Sequence, residues 1–209
     1  MELALLKKDG TDTGKKVTLD DAVFGIEPND HAIYLDVKQY LADRRQGTSK
    51  TKDRSEVAFS TKKILRQKGS GGARHGSIKS NIYVGGGRAH GPNPRDYDFK
   101  LNKKVKQLAR FSALSYKVKE SAVTVVEPFT MEAPKTKEFV QMIKDLKINP
   151  RRVLFIVPES SDNICLSSRN LENVKVATPN TINTYDIMRA YSVVFVDGAQ
   201  NSLKVEYKR

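Results

Sequence analysis

The chain of 209 residues has no tryptophan, one cysteine and three histidines, and no apolar run long enough to cross a bilayer. The lone cysteine, Cys165, excludes an intramolecular disulfide and any multi-cysteine zinc site, and it suits a reducing compartment. Beside Leu166 it reads as a small apolar filler. The longest strongly apolar runs are strand-sized, as in Val153-Leu154-Phe155-Ile156-Val157, against the roughly 20 residues that a spanning helix needs. Met1 to Lys7 offers too few apolar residues for a secretory signal. A soluble, cytoplasmic protein is expected, or an organellar one after loss of a presequence.

Negative charge is scarce in one place only. Between Arg44 and Arg110 the chain carries 18 of its 37 Lys and Arg residues against Asp53, Glu56, Asp96 and Asp98, so this stretch accounts for the whole net charge of +13. Large apolar side chains are also rare there. A segment of one sign repels itself and cannot bury enough surface to fold alone, so it calls for a polyanion. A membrane surface fits poorly, because the densest basic stretch, Lys62 to Arg95, alternates charge with glycine instead of forming an amphipathic helix. Nine of the 13 glycines lie from Gly47 to Gly91, which leaves no regular helix or strand expected in that stretch. If Gly47 to Pro94 runs out and back, each arm has about 24 residues and a reach of at most ~80 Å. A loop of that length is functional or disordered.

The flanks read differently. Glu2 to Leu6 and Lys15 to Leu19 are strand candidates around the turn-rich Asp9 to Gly14, and Asp20-Asp21 before Ala22-Val23-Phe24 reads as a helix cap rather than a catalytic pair. A helix is expected from Asn29 or Asp30, with Ile33, Val37, Tyr40 and Leu41 at helical spacing. Leu101, Val105, Leu108, Phe111, Leu114 and Val118 form a second stripe, with Lys103, Lys104, Lys106 and Arg110 largely off it and free to touch phosphates. Beyond it, strands at Ala122 to Val126, Val153 to Val157, Val174 to Ala177 and Val193 to Val196 alternate with helices at Pro134 to Leu146 and Tyr185 to Tyr191. In the first of these helices Phe139, Val140, Ile143 and Leu146 should face inward. Apolar strands separated by helices indicate a buried, mainly parallel sheet. The fold class is therefore α/β: a three-layer, Rossmann-like single domain over 1–209, with an extended basic arm, 45–97, inserted in it.

Catalytic chemistry finds no support. Gly69-Ser70-Gly71-Gly72-Ala73-Arg74 lacks the Gly-Lys-Ser/Thr ending of a phosphate-binding loop, and neither glycine cluster follows an apolar strand. His31, His75 and His90 are too scattered for a metal site, and the polar surroundings of His75 and His90 suit hydrogen bonding or stacking better than acid–base work. No metal, cofactor or enzymatic activity is expected. The basic residues speak as a set: Lys50, Lys52, Arg54, Lys62, Lys63, Arg66, Lys68, Arg74, Lys79, Arg88 and Arg95 span the excursion and would release counterions from a nucleic acid. Tyr83, Tyr97 and Phe99 add stacking surfaces for unpaired bases. With no helix-turn-helix or zinc finger in view, RNA fits better than duplex DNA.

At Lys62-Lys63-Ile64-Leu65-Arg66-Gln67-Lys68-Gly69-Ser70-Gly71, and on through Ala73-Arg74-His75-Gly76-Ser77-Ile78-Lys79-Ser80, the chain resembles the bacterial-type large-subunit ribosomal protein L four family. Further marks are Arg45-Gln46-Gly47-Thr48, Gly85-Gly86-Gly87, Pro94-Arg95-Asp96-Tyr97, Asn102-Lys103-Lys104 and Glu132-Ala133-Pro134-Lys135-Thr136-Lys137, in the family's order over essentially the full length. The resemblance implies a ribosome-bound, cytoplasmic protein that binds 23S ribosomal RNA early in subunit assembly and touches neighbouring large-subunit proteins. It implies an arm that reaches the polypeptide exit tunnel, with Arg66, Gln67 and Lys68 at the tip near the nascent polypeptide. The RNA-binding set implied is Arg45, Lys50, Arg54, Lys62, Lys63, Arg66, Gln67, Lys68, Arg74, His75, Lys79, Arg88, His90, Arg95, Lys103 and Lys104. Two departures stand out: Ile64-Leu65 occupies the place where the family often has Pro-Trp, and Gly71-Gly72-Ala73-Arg74 lacks one guanidinium of the usual Gly-Arg-Ala-Arg. The alternatives are a repressor of its own operon's messenger, as some family members are, and, more remotely, an RNA-processing enzyme.

Overall fold

The structure is a computed structural model and describes residues 1–148 and 150–203. Its chain divides into two units, one formed by residues 1–41 together with those from Lys100 onward, the other by Ala42–Phe99.

In the first unit, β1 (Glu2–Leu6) and β2 (Asp12–Thr18) pair antiparallel. The second strand begins three residues before the expected Lys15. Its register shifts opposite Ala4 and Leu6, where the Thr13 hydroxyl donates to the Leu5 carbonyl at 2.7 Å and Asp12 Oδ1 accepts from the Gly14 N–H. Side chains thus satisfy the backbone that the bulge leaves unpaired, and pairing continues to Asp12. A short helix, α1 (Asp21–Phe24), follows, with the Asp20 carboxylate accepting from Ala22 N–H as its cap. Next comes α2 (Asp30–Asp43), where Asn29 Oδ1 accepts from Ala32 N–H. Ile33 on this helix is buried, Val37 packs against the core, and Leu41 stays exposed.

After the second unit the chain forms α3 (Lys103–Lys119), β3 (Val123–Val126), α4 (Thr136–Asp145), β4 (Val153–Ile156), α5 (Asp162–Ser168), β5 (Val174–Ala177), α6 (Thr184–Arg189), β6 (Ser192–Val196) and a 3₁₀ turn, Gln200–Leu203. The six strands make one mixed sheet in the order β2-β1-β3-β6-β4-β5, parallel at every pairing except β1 with β2. Each parallel step is a crossover through helix, which is how parallel strands cover both faces. The central strand β6 is buried along its whole length.

Period-two alternation along the strands feeds two cores. Val123, Val125, Leu154, Ile156, Val193 and Phe195 point to one, with Phe24 of α1, Ile33 of α2, Phe111 and Leu114 of α3 and Ile187 of α6. Val126, Val153, Phe155 and Val194 point to the other, with Phe139, Met142 and Ile143 of α4 and Ile164 of α5. Helices therefore lie on both faces of the sheet. Two details of the helical stripes differ from expectation. Met142 is buried on α4 while Val140 is only half-buried, and on α3 Leu108 is exposed while Ala109 and Ala113 are buried. The closest neighbours of α3 are α1 and α6, and the small residues sit on its buried side while the larger Leu108 stays outside. The helix α5 has no apolar period to announce it: its seven residues are mostly polar, and Ser167 and Ser168 are buried because their hydroxyls donate to the carbonyls of Asn163 and Cys165.

The second unit contains no helix after the end of α2 and no strand, only an isolated antiparallel bridge between Lys63 and Ser77. Among the described residues no helix is long and apolar enough to cross a membrane, and no group of three or more His, Cys, Asp or Glu is gathered to hold a metal ion.

Candidate nucleic-acid interface

Two antiparallel passes of chain make the root of the 42–99 unit. The Arg95 N–H donates to the Gly47 carbonyl at 3.2 Å, Thr51 N–H to the Pro92 carbonyl at 3.1 Å, and Arg88 N–H to the Lys52 carbonyl at 2.9 Å. Tyr97 fills the space between the basic side chains of this root, with the Arg45 guanidinium 3.7 Å and the Arg95 guanidinium 4.6 Å from its ring centroid. Hydrogen bonding from Arg95 holds the Tyr97 phenol below its ordinary pKa of 10.0, and the Arg95 and Arg45 charges add to the effect. Tyr97, read from sequence as a stacking surface for bases, already stacks on two arginines of its own chain.

Further out, Lys50 forms an ion pair with Glu56, and Glu56 Oε2 also accepts from the Asp53 N–H at 3.2 Å. The hydrogen bond from Lys50 is the larger cause of a Glu56 pKa below the ordinary 4.5, and the Asp53 N–H is the second. Glu56, one of the few acids in the segment, thus spends its charge closing a turn. Ser77 is the polar hub of the outer part. Its buried hydroxyl donates to the Ser60 carbonyl at 2.9 Å and accepts from the Lys79 N–H at 3.2 Å, while Ile64 N–H reaches the Gly76 carbonyl at 3.1 Å. Turns at Ser77 to Ser80, Ser80 to Tyr83 and Tyr83 to Gly86 then lead the chain back.

Beyond the Lys63–Ser77 bridge lie Arg66, Gln67, Lys68 and Arg74, all exposed, with Lys63 Nζ donating to Gln67 Oε1. Lys62, Lys63, Arg54, Arg88 and His90 are likewise exposed, and Lys79 is half-buried. His75 is also half-buried and lies 5.5 Å, centroid to centroid, from Tyr83, so these two rings partner each other. Lys103 and Lys104 belong to the other unit, exposed on the first turn of α3.

The glycine clusters divide in role. A Cβ at Gly69, Gly71, Gly72 or Gly76 would meet nothing within 4 Å, so these positions leave backbone open to a large partner. A Cβ at Gly87 would overlap the Arg54 backbone, and one at Gly86 the Ser80 carbonyl, so this pair serves the segment's own packing. The sequence alone did not separate these two roles. It also missed Ile82 and Val84, which are 82% and 105% exposed. Their position between Gly76 and Gly85, outside any apolar period, was the available signal.

A basic unit with open glycine positions, in a chain with a layered α/β unit, narrows the search for relatives. The profile of the ribosomal protein L4/L1 family matches residues 17–206. The chain belongs to this family. It is 58% identical over 208 residues to the large ribosomal subunit protein uL4 of Parabacteroides distasonis, covering 100% of both chains. The proteins of the same name from Cytophaga hutchinsonii and Porphyromonas gingivalis are 57% and 55% identical, over 98% and 94% of each chain. Similarity at this level, end to end, spans both the L4/L1 α/β unit and the basic segment.

Proposed function

We propose that the chain is a structural, non-catalytic constituent of the large ribosomal subunit in the cytoplasm. It acts early in assembly as a primary binder of 23S ribosomal RNA. In this reading 1–209 form a single Rossmann-like α/β domain and 45–97 its inserted arm, which enters the RNA. Arg66, Gln67 and Lys68 line part of the exit tunnel beside the nascent polypeptide. Neighbouring large-subunit proteins complete the surroundings.

The observation that carries the proposal is the charge and packing of the 42–99 unit. It buries little besides Val57, Ser77 and Gly87, and it leaves its cations and its tip backbone outward. Such a surface gains stability from phosphates rather than from a core of its own. The RNA-binding set is Arg45, Lys50, Arg54, Lys62, Lys63, Arg66, Gln67, Lys68, Arg74, His75, Lys79, Arg88, His90, Arg95, Lys103 and Lys104. Arg45 and Arg95 contribute through the face not stacked on Tyr97.

The test is sedimentation of lysate through a high-salt gradient, followed by a photo-crosslinker placed at Gln67 in purified translating ribosomes. Retention on the large subunit and crosslinks to the nascent chain are expected. A protein that sediments free of the large subunit overturns the ribosomal assignment, and retention without nascent-chain crosslinks overturns the tunnel placement.

A further inference from the structure

At the carboxyl ends of β1 and β3, which run parallel side by side, two contiguous hollows of about 260 Å³ and 330 Å³ form one cleft, sharing Lys8, Asp9, Phe129 and Thr130. The connections that follow these strands lead to helices on opposite faces of the sheet, α1 on one and α4 on the other, and open α/β sheets take their ligands at such places. Phe139 and Met142 of α4 line the cleft from its buried side, and Phe129 and Met131 are half-buried in it. Its walls are tied to one another. The Glu127 N–H donates to the Leu6 carbonyl at 2.8 Å, and the turn after β1 lies so close to the end of α4 that a Cβ on Gly10, whose φ is +74°, would overlap the Asp145 carbonyl. The cleft is thus built into the fold, and a partner need not spend binding energy to form it.

The charge of the cleft runs against that of the chain. Asp9, Glu127, Glu138 and Asp145 line it against Lys7 and Lys8, a local balance of −2 in a chain of +13. Among the described residues Asp9 and Glu127 form no ion pair, and Glu138 pairs with the exposed Lys135 at 3.1 Å, a contact that exchanges at little cost. Phosphates are repelled by such a rim, and among the described residues its carboxylates are not gathered to hold a metal ion. The hollow against α4, at about 260 Å³, falls below the range of drug-sized ligands and suits one large side chain. Thioether and aromatic walls accept apolar groups of varied shape.

We propose that this cleft is a docking site for another protein, one that lays an extended, Lys- or Arg-rich segment across it and inserts a single large apolar side chain against Phe129, Met131 and Met142. The cations beside that anchor meet Asp9, Glu127 and Glu138. Charge complementarity selects this occupant, because the chain as a whole repels a basic segment while this rim attracts it. The inference goes beyond the RNA-binding reading: it concerns a protein partner and the α/β unit, and it stands or falls without the basic segment.

The test titrates isotope-labelled full-length protein with a synthetic peptide in which one leucine is flanked on each side by lysine-serine-lysine, and reads amide chemical shifts. The variants are Asp9→Asn/Glu138→Gln, Gln141→Trp, which sets an indole at the exposed mouth, and the control Glu27→Gln/Glu172→Gln, which removes equal charge from exposed positions outside the cleft. Every residue changed is exposed, so the fold should survive each substitution. Saturable shifts confined to residues 7–9, 127–131 and 138–145 are expected. The carboxylate pair should weaken binding about fivefold at low salt, serine in place of the leucine about tenfold, and the control should leave it unchanged. Gln141→Trp should block the peptide while the remaining spectrum keeps its folded pattern. Wild-type protein without saturable shifts overturns the proposal. So does binding that the control pair weakens as much as the cleft pair, which marks general charge attraction, and so does equal binding of the serine peptide, which shows that no apolar anchor is held. Cleft shifts produced by a single-stranded oligonucleotide with the peptide excluded, or a dimer that Gln141→Trp abolishes, reassign the cleft to RNA or to a second copy of the chain and also overturn it.

Discussion

Gly47 and Arg95 meet backbone to backbone: the Arg95 N–H donates to the Gly47 carbonyl at 3.2 Å, and the Arg95 carbonyl lies where a Cβ on residue 47 would go. Gly47 has φ +65°, so both backbone conformation and close approach demand glycine. Gly47→Ala should loosen the root by about 1–3 kcal/mol. Limited proteolysis and amide exchange near residues 45–52 and 92–97 read the effect. Gly69→Ala is the comparison, because φ there is +84° with nothing within 4 Å; it carries the conformational penalty without the clash and should cost less.

The Lys50–Glu56 pair makes the turn at Asp53 to Val57 sensitive to acid. The Glu56 pKa in the fold is depressed, so its contribution is present above the ordinary 4.5 and disappears as pH falls through the lowered value. A carboxyl-resolved NMR titration should place Glu56 below an ordinary glutamate. Lys50→Gln should move it up, because Lys50 is the first cause of the shift. An unmoved midpoint refutes the pairing.

Two tyrosines should separate in an ultraviolet titration. Tyr97 ionises early because of Arg95, so its stabilising effect grows as pH rises through the lowered pKa and is complete above 10.0. Tyr116 donates to Asp30 Oδ1 at 2.6 Å, and that bond raises its pKa. Its effect is full below 10.0 and fades as pH rises through the raised value. Tyr97→Phe should remove the early step and Tyr116→Phe the late one.

Phe155 is fully buried and meets Phe139 edge-on at 5.0 Å between centroids, so Phe155→Ala should cost about 3–5 kcal/mol in chemical denaturation. The Ser77 hub of the 42–99 unit gives a contrast. Ser77→Ala should cost about 1–2 kcal/mol locally, since it leaves the Ser60 carbonyl and Lys79 N–H without their partner. Amide exchange at Lys79 should rise while the denaturation midpoint of the α/β unit stays unchanged.

Apolar runs and helical periods placed β3, β4, β5 and β6 within a residue of their ends, and the Asp20 cap was legible because a carboxylate two residues before a helical N–H has few better uses. The misses share one cause. Whether Leu108 or Ala109 is buried, whether Val140 or Met142 is, and whether a polar stretch such as Asp162–Ser168 coils into a helix are decided by what lies opposite. Local pattern does not contain that neighbour.

The same division holds for the candidate site. Concentrating 18 cations and nine glycines in one stretch determined, from order alone, that this segment carries the chain's whole positive charge on backbone with few side chains to pack, because charge and missing side chains act wherever the backbone goes. Tertiary structure decided which of those residues are already engaged. Tyr97 lies against Arg45 and Arg95, His75 against Tyr83, and Gly86 and Gly87 against the segment's own backbone, while Gly69, Gly71, Gly72 and Gly76 remain open. The physical reason is distance: a side chain's partner is set by separations of a few ångströms between residues far apart in sequence, and only the folded chain supplies them.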